Sequence, residues 1–162
     1  MEMQHPDDSK MAHAHHYRKL LWMAVLSFIA MYILMYSMVN TFSNVFLNIN
    51  QFYMAGLMAS PMIIIELLLM RSMYMNKKLN VLLISISAVL LVVFFLLIRQ
   101  QGAVNDKQFL KSMIPHHAGA ILMCNEANIK DPEIKKLCEE IRASQEAEIK
   151  QMKAKLSELN NK

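Results

Sequence analysis

Three stretches of almost unbroken apolar sequence are followed by one stretch in which apolar and charged residues alternate with a helical period. Residues 20–39 read LLWMAVLSFIAMYILMYSMV, twenty positions without a charge, glycine or proline. As a helix they reach about 30 Å, the thickness of a bilayer's hydrocarbon core. A second run, residues 52–70, is interrupted by Gly56, Pro61 and the carboxylate of Glu66. The third, residues 81–98, reads VLLISISAVLLVVFFLLI and is polar only at Ser85 and Ser87. The pattern predicts three transmembrane helices, at about 20–39, 52–70 and 81–98. A cleaved secretory signal is the competing reading of the first run. The 19 residues ahead of it, and the absence of a small-x-small pattern in the NTFSN that follows, favour a retained anchor.

From residue 99 to 162 the character changes, with eleven basic and nine acidic residues. Asp131-Pro132-Glu133 is a helix start, with a capping carboxylate, a proline at the first helical position and an acid in the first turn. It separates a helix from near Asp106 to near Asn128 from a second over Glu133 to about Leu159, whose Ile134, Ile141, Ile149 and Leu156 lie on or near one stripe. The short link predicts an antiparallel helical hairpin. The fold class is therefore all-α, and the chain divides into an N-terminal segment 1–19, a membrane region 20–98 and a hairpin domain 99–162.

Charge gives this layout an orientation. Lys10, Arg18 and Lys19 precede the first span and Arg71, Lys77 and Lys78 join the second to the third. NTFSNVFLNINQ between the first two carries no charge, and Arg99, Lys107 and Lys111 follow the third. Six against three predicts a cytoplasmic N-terminus and an extracytoplasmic hairpin, periplasmic or on the cell surface if the membrane is a bacterial inner membrane. The net charge of +4 is modest and dispersed, which excludes the basic stripe that nucleic-acid binding needs. Composition adds an unusual set of soft donors: sixteen Met, six His and two Cys.

The donors converge in Met113-Ile-Pro-His116-His117. Met113 lies three residues from His116 and four from His117, so a thioether and imidazoles share a helix face that Met123 continues two turns on. Pro115 is expected to kink the helix just before the histidines. Folding the hairpin about Lys130 and Asp131 sets His116 opposite Gln145, Met113 opposite Glu148 and Met152 opposite Phe109. Polar Gln145 and Glu148 on an otherwise apolar stripe suit a site better than a plain core, and thioether with imidazole favours copper, Cu(I) above all. The alternative is an amphipathic hairpin with methionine as core filler and the histidines at a wet rim.

The pattern Phe109-x-x-x-Met113-x-x-His116-His117-x-x-Ala120-x-x-Met123, followed by Ile141-x-x-x-Gln145-x-x-Glu148-Ile149-x-x-Met152, resembles the family known as domain of unknown function 305. The match takes in about 50 residues, roughly a third of the chain. The resemblance implies an extracytoplasmic, ferritin-like helical domain, copper binding in some members, and Met113, His116, His117, Met123 and Met152 as the positions to test, with Glu148 beside them. The membrane front end is similar to that of anchored members. One departure is plain: ferritin-like bundles have four helices, and this chain supplies two. Two cannot bury a stable core alone, which predicts a homodimer.

Other donors carry weaker expectations. Cys124 and Cys138 fall almost opposite each other across the hairpin. A disulfide closing about 15 residues would stabilise by roughly 3 kcal/mol; soft metal ligands and small buried side chains are the other readings. His13, His15 and His16 could hold Cu(II) or Zn(II), or simply form a juxtamembrane anchor. Met54, Met58 and Met62 share a face of the second span that leads to Glu66. A Met-x-x-x-Met there is similar to the eukaryotic copper transporter family, although the charge bias runs the opposite way and the third span lacks glycine. Glu66 itself needs a partner, with Arg71 and the hydroxyls of the first span nearest in sequence. No nucleophile-base pair, P-loop or dinucleotide loop points to an enzyme. The expected function is a membrane copper-binding protein for sequestration, resistance or hand-over to a copper-exporting or chaperone partner. A Cu(I) transporter and a metal-free assembly protein are the alternatives.

Overall fold

A computed structural model describes residues 6–161, with side chains from residue 15 onward. The described chain is entirely helical: α1 Pro6–Leu34, α2 Ile49–Leu69, α3 Lys77–Gln100, α4 Asp106–Glu126 and α5 Pro132–Asn160, with 3-10 turns at Met35–Met38 and Phe42–Asn44. Three of the helical stretches, His15–Met38, Ile49–Leu69 and Lys77–Gln100, are long and apolar enough to cross a membrane. At 24, 21 and 24 residues each exceeds the roughly 20 that a hydrocarbon core demands. The first is helical well before the apolar run begins.

The chain forms two compact units, one holding residues up to Tyr32 with Tyr53–Gly102, the other Ile33–Phe52 with Ala103–Lys162. In the first, α2 buries Ala55, Gly56, Ala59 and Ser60, the small residues that let apolar helices approach when no hydrophobic effect drives them together. A Cβ at Gly56 would run into the ring of Phe94 on α3. Leu21, Trp22 and Leu26 on α1 and Val81, Leu82 and Val92 on α3 point outward, as suits helices apolar enough to cross a membrane. Asn76 caps α3 by accepting from Leu79 N at 3.1 Å.

The second unit is the expected hairpin with an unexpected third component. Asn105 caps α4 and Asp131 caps α5, the latter accepting from the backbone N–H groups of Glu133 and Ile134 with Pro132 following. Ile114, Ala118 and Ile121 of α4 pack with Ile149 and Leu156 of α5, and Val39 and Phe46 from the link between α1 and α2 join this core. The link between α1 and α2 is thus a structured layer on α4. Asn44 and Asn48 in it are buried. Asn48 Oδ1 accepts from Gln51 N at 2.9 Å and from Ser112 Oγ at 3.3 Å; its amide donates to the Phe46 carbonyl at 3.0 Å. Gln108 Oε1 accepts from Ile49 N at 3.1 Å and Tyr36 donates to the Phe46 carbonyl at 2.8 Å. These bonds satisfy polar groups that burial would otherwise leave unpaired at a cost of about 1–3 kcal/mol each.

Candidate metal centre on the hairpin

The α4 helix continues through Pro115 from Asp106 to Glu126, and its face toward α5 carries Met113, His117 and Cys124. His117 is 7% exposed. Its Nδ1 lies 2.9 Å from the Met113 carbonyl one turn back, and its Nε2 lies 2.7 Å from Glu148 Oε2 on α5. Both are hydrogen bonds only when both ring nitrogens carry hydrogen. Ser144 Oγ donates to the second Glu148 oxygen at 2.7 Å. That hydroxyl first, and His117 second, hold the Glu148 carboxyl below its ordinary range. Alongside the pair lies an open cleft of about 420 Å³, lined also by Phe109, Met113, Met152 and Lys155; the Lys155 ammonium is engaged by Glu158 at 2.9 Å.

Of the residues singled out from sequence, Met113, His117, Glu148 and Met152 come together here. His116 does not face Gln145 as the folding arithmetic expected. One residue is a 100° turn on a helix, so with His117 on the seam His116 points away and is exposed, its ring centroid 6.0 Å from that of His117. Met123 is 54% exposed on the same outer stripe. Among the described residues no three His, Cys, Asp or Glu side chains converge as a metal set. The soft donors at this cleft are the thioethers of Met113 and Met152 and a single imidazole. With Nδ1 against a backbone carbonyl, Nε2 is the nitrogen a metal could take, and an ion there would have to displace Glu148. Sequence reasoning missed Ser144, although its spacing of four from Glu148 on one helix is a readable signal.

The remaining donors lie elsewhere. Cys124 and Cys138 are free thiols at the loop end of the hairpin, hydrogen-bonded to each other, and that bond, more than burial, pushes the Cys124 thiol up. His15 and His16 are in α1 with ring centroids 6.3 Å apart, and His15 Nδ1 accepts from Arg18 at 3.2 Å; the His13 side chain lies outside the described residues. Met54, Met58 and Met62 point outward from α2. Glu66 accepts from Tyr74 at 3.3 Å, a partner in the α2–α3 link in place of the expected Arg71 or first-span hydroxyls. Tyr74 is buried, and burial, then the Glu66 carboxylate, raises its phenol so that it keeps the proton it donates.

A family model described as "Domain of unknown function (DUF305)" matches residues 96–156, all of α4 and most of α5. An uncharacterized protein of Acanthamoeba polyphaga mimivirus is 38% identical over 148 residues, 88% of this chain and 95% of the relative. That relative is viral, whereas the sequence reading took a bacterial membrane as its setting. No solved structure matches the chain.

Proposed function

The chain belongs to the DUF305 family, and on that premise we propose that it is an integral membrane protein whose helical hairpin binds copper for sequestration or hand-over. One juxtaposition carries the reading. The imidazole of His117, tied at Nδ1 to the Met113 carbonyl and faced at Nε2 by Glu148, borders a cleft that Met113 and Met152 also line. Thioethers and an imidazole are soft donors suited to Cu(I), and the set lacks the four ligands of a structural zinc site. Copper held here supplies a soft, exchangeable cation to pass on. In this role the Met113 carbonyl holds the His117 ring at Nδ1 and fixes which nitrogen is presented, and an ion at Nε2 would replace the contact to Glu148.

The distribution of Lys and Arg argues for a hairpin on the extracytoplasmic side. Phe109, Met123, Ile134 and Leu137, each about half exposed on the hairpin, offer the apolar surface on which a second copy would complete a helical bundle. The receiving partner would be a copper exporter or chaperone. The test is metal analysis of the full chain purified in detergent after growth in copper, followed by Cu(I) titration. His117→Ala, and Met113→Leu with Met152→Leu, are expected to abolish uptake at this site. Unchanged stoichiometry in both variants overturns the reading.

A further inference from the structure

We propose that Cys124 and Cys138 form a second metal site, a two-coordinate thiolate clamp for a soft monovalent ion such as Cu(I). The two thiols, one from each helix of the hairpin, border one cavity of about 290 Å³, and both are free and only partly buried, so an ion can reach them. Thiolate sulfur is the softest donor a protein offers and selects Cu(I), zinc or iron–sulfur centres. Zinc needs four ligands. No third His, Cys, Asp or Glu converges on the pair among the described residues, so Glu139, though it borders the cavity, does not complete such a set. Two sulfurs alone satisfy an ion content with two ligands.

Charge supports the assignment. Binding releases one proton from each thiol, forms two sulfur–metal bonds, changes no oxidation state and leaves a complex of net charge −1. Lys135 and Arg142 border the same cavity, three residues before and four after Cys138, which sets them on its face of α5. Two cations against the one carboxylate of Glu139 favour the anionic complex. Cys124 is seven residues beyond His117, about 10 Å along α4 and on the same face, so the clamp is a separate site on the same seam and does not depend on copper binding at His117.

The full chain in detergent, reduced and kept anaerobic, is titrated with Cu(I) buffered by bicinchoninate. Wild type is expected to take up about one equivalent more than Cys124→Ser with Cys138→Ser, as a single two-ligand site requires. Both thiols of wild type should also become protected from a thiol-titrating reagent. In a His117→Ala background the same increment should persist, which separates this site from the cleft. Equal uptake with and without the cysteines, or thiols that stay fully reactive in the presence of Cu(I), overturns the proposal. The protection measurement uses wild type alone and stands even if the double variant fails to fold.

Discussion

His117 Nε2 and Glu148 Oε2, thirty-one residues apart in sequence, stand 2.7 Å apart across the seam between α4 and α5. With Ser144 on the other oxygen, the carboxylate is held ionised from two sides, and its carboxyl lies below the ordinary range. A value depressed in the folded state means that the ionised group contributes stability above the ordinary carboxylate range. That contribution is lost as pH falls through the folded value. Metal-free protein in detergent, melted while helicity is followed by circular dichroism, should therefore weaken on the acid side of that range. Ser144→Ala, which removes the larger cause, should shift the loss toward ordinary carboxylate values. An acid limb that does not move would show that the hydroxyl plays no such part.

The two adjacent histidines should behave very differently. His117→Ala empties a buried position on the α4–α5 seam and should cost about 1–3 kcal/mol. His116→Ala changes an exposed side chain and should stay within about 0.5 kcal/mol of wild type. Denaturant unfolding of the two variants in the same detergent distinguishes them. Equal destabilisation would contradict the inward placement of His117 alone.

Asn48 stands directly before α2, accepts from Gln51 N at the helix start and from Ser112 on α4. Asn48→Ala removes a cap and a bridge between segments far apart in sequence, an expected loss of about 1–3 kcal/mol. Combined with Ser112→Ala, the loss should fall short of the sum of the single losses, because both variants break one shared bond. Strict additivity in a double-mutant cycle would mean the bridge contributes nothing.

Gly56 leaves no room for a side chain against Phe94. Gly56→Val should cost about 1–3 kcal/mol through overpacking, and adding Phe94→Ala should recover part of it, because the smaller side chain frees the space the valine needs. Thermal melts of single and double variants in detergent provide the comparison. A double variant less stable than the single valine variant would place the constraint elsewhere.

The boundaries of the two hairpin helices were legible because their causes are local. Asp131-Pro132-Glu133 announces its helix, and twenty residues without a charge announce a span. The candidate site was half legible. Spacing brought Met113, His117, Glu148 and Met152 into play, but which of two neighbouring histidines faces inward depends on the rotation of α4 against α5, and loop arithmetic fixes only distance along the axis. The partner of Glu66 was hidden for a similar reason: Tyr74 reaches back from the link, and no period encodes that fold-back. Least legible was the α1–α2 link. Asn40, Asn44 and Asn48 recur every four residues, yet no local pattern encodes that Asn48 meets Ser112 or that the neighbouring Ile49 N–H meets Gln108, some sixty residues on.

That layer on α4 bears on how the chain is assembled. If the three apolar helices cross a membrane, the α1–α2 link and the hairpin emerge on the same side, where Asn48 and Ser112 can meet. A chain in which one span failed to insert would strand them on opposite sides, with Asn44 and Asn48 lacking the cover that buries them and the hairpin lacking Val39 and Phe46. The hairpin, made after the three apolar helices, would then find its full set of packing partners only when those helices have been threaded correctly, and a misthreaded chain would be marked by an unfinished domain that proteases can cut.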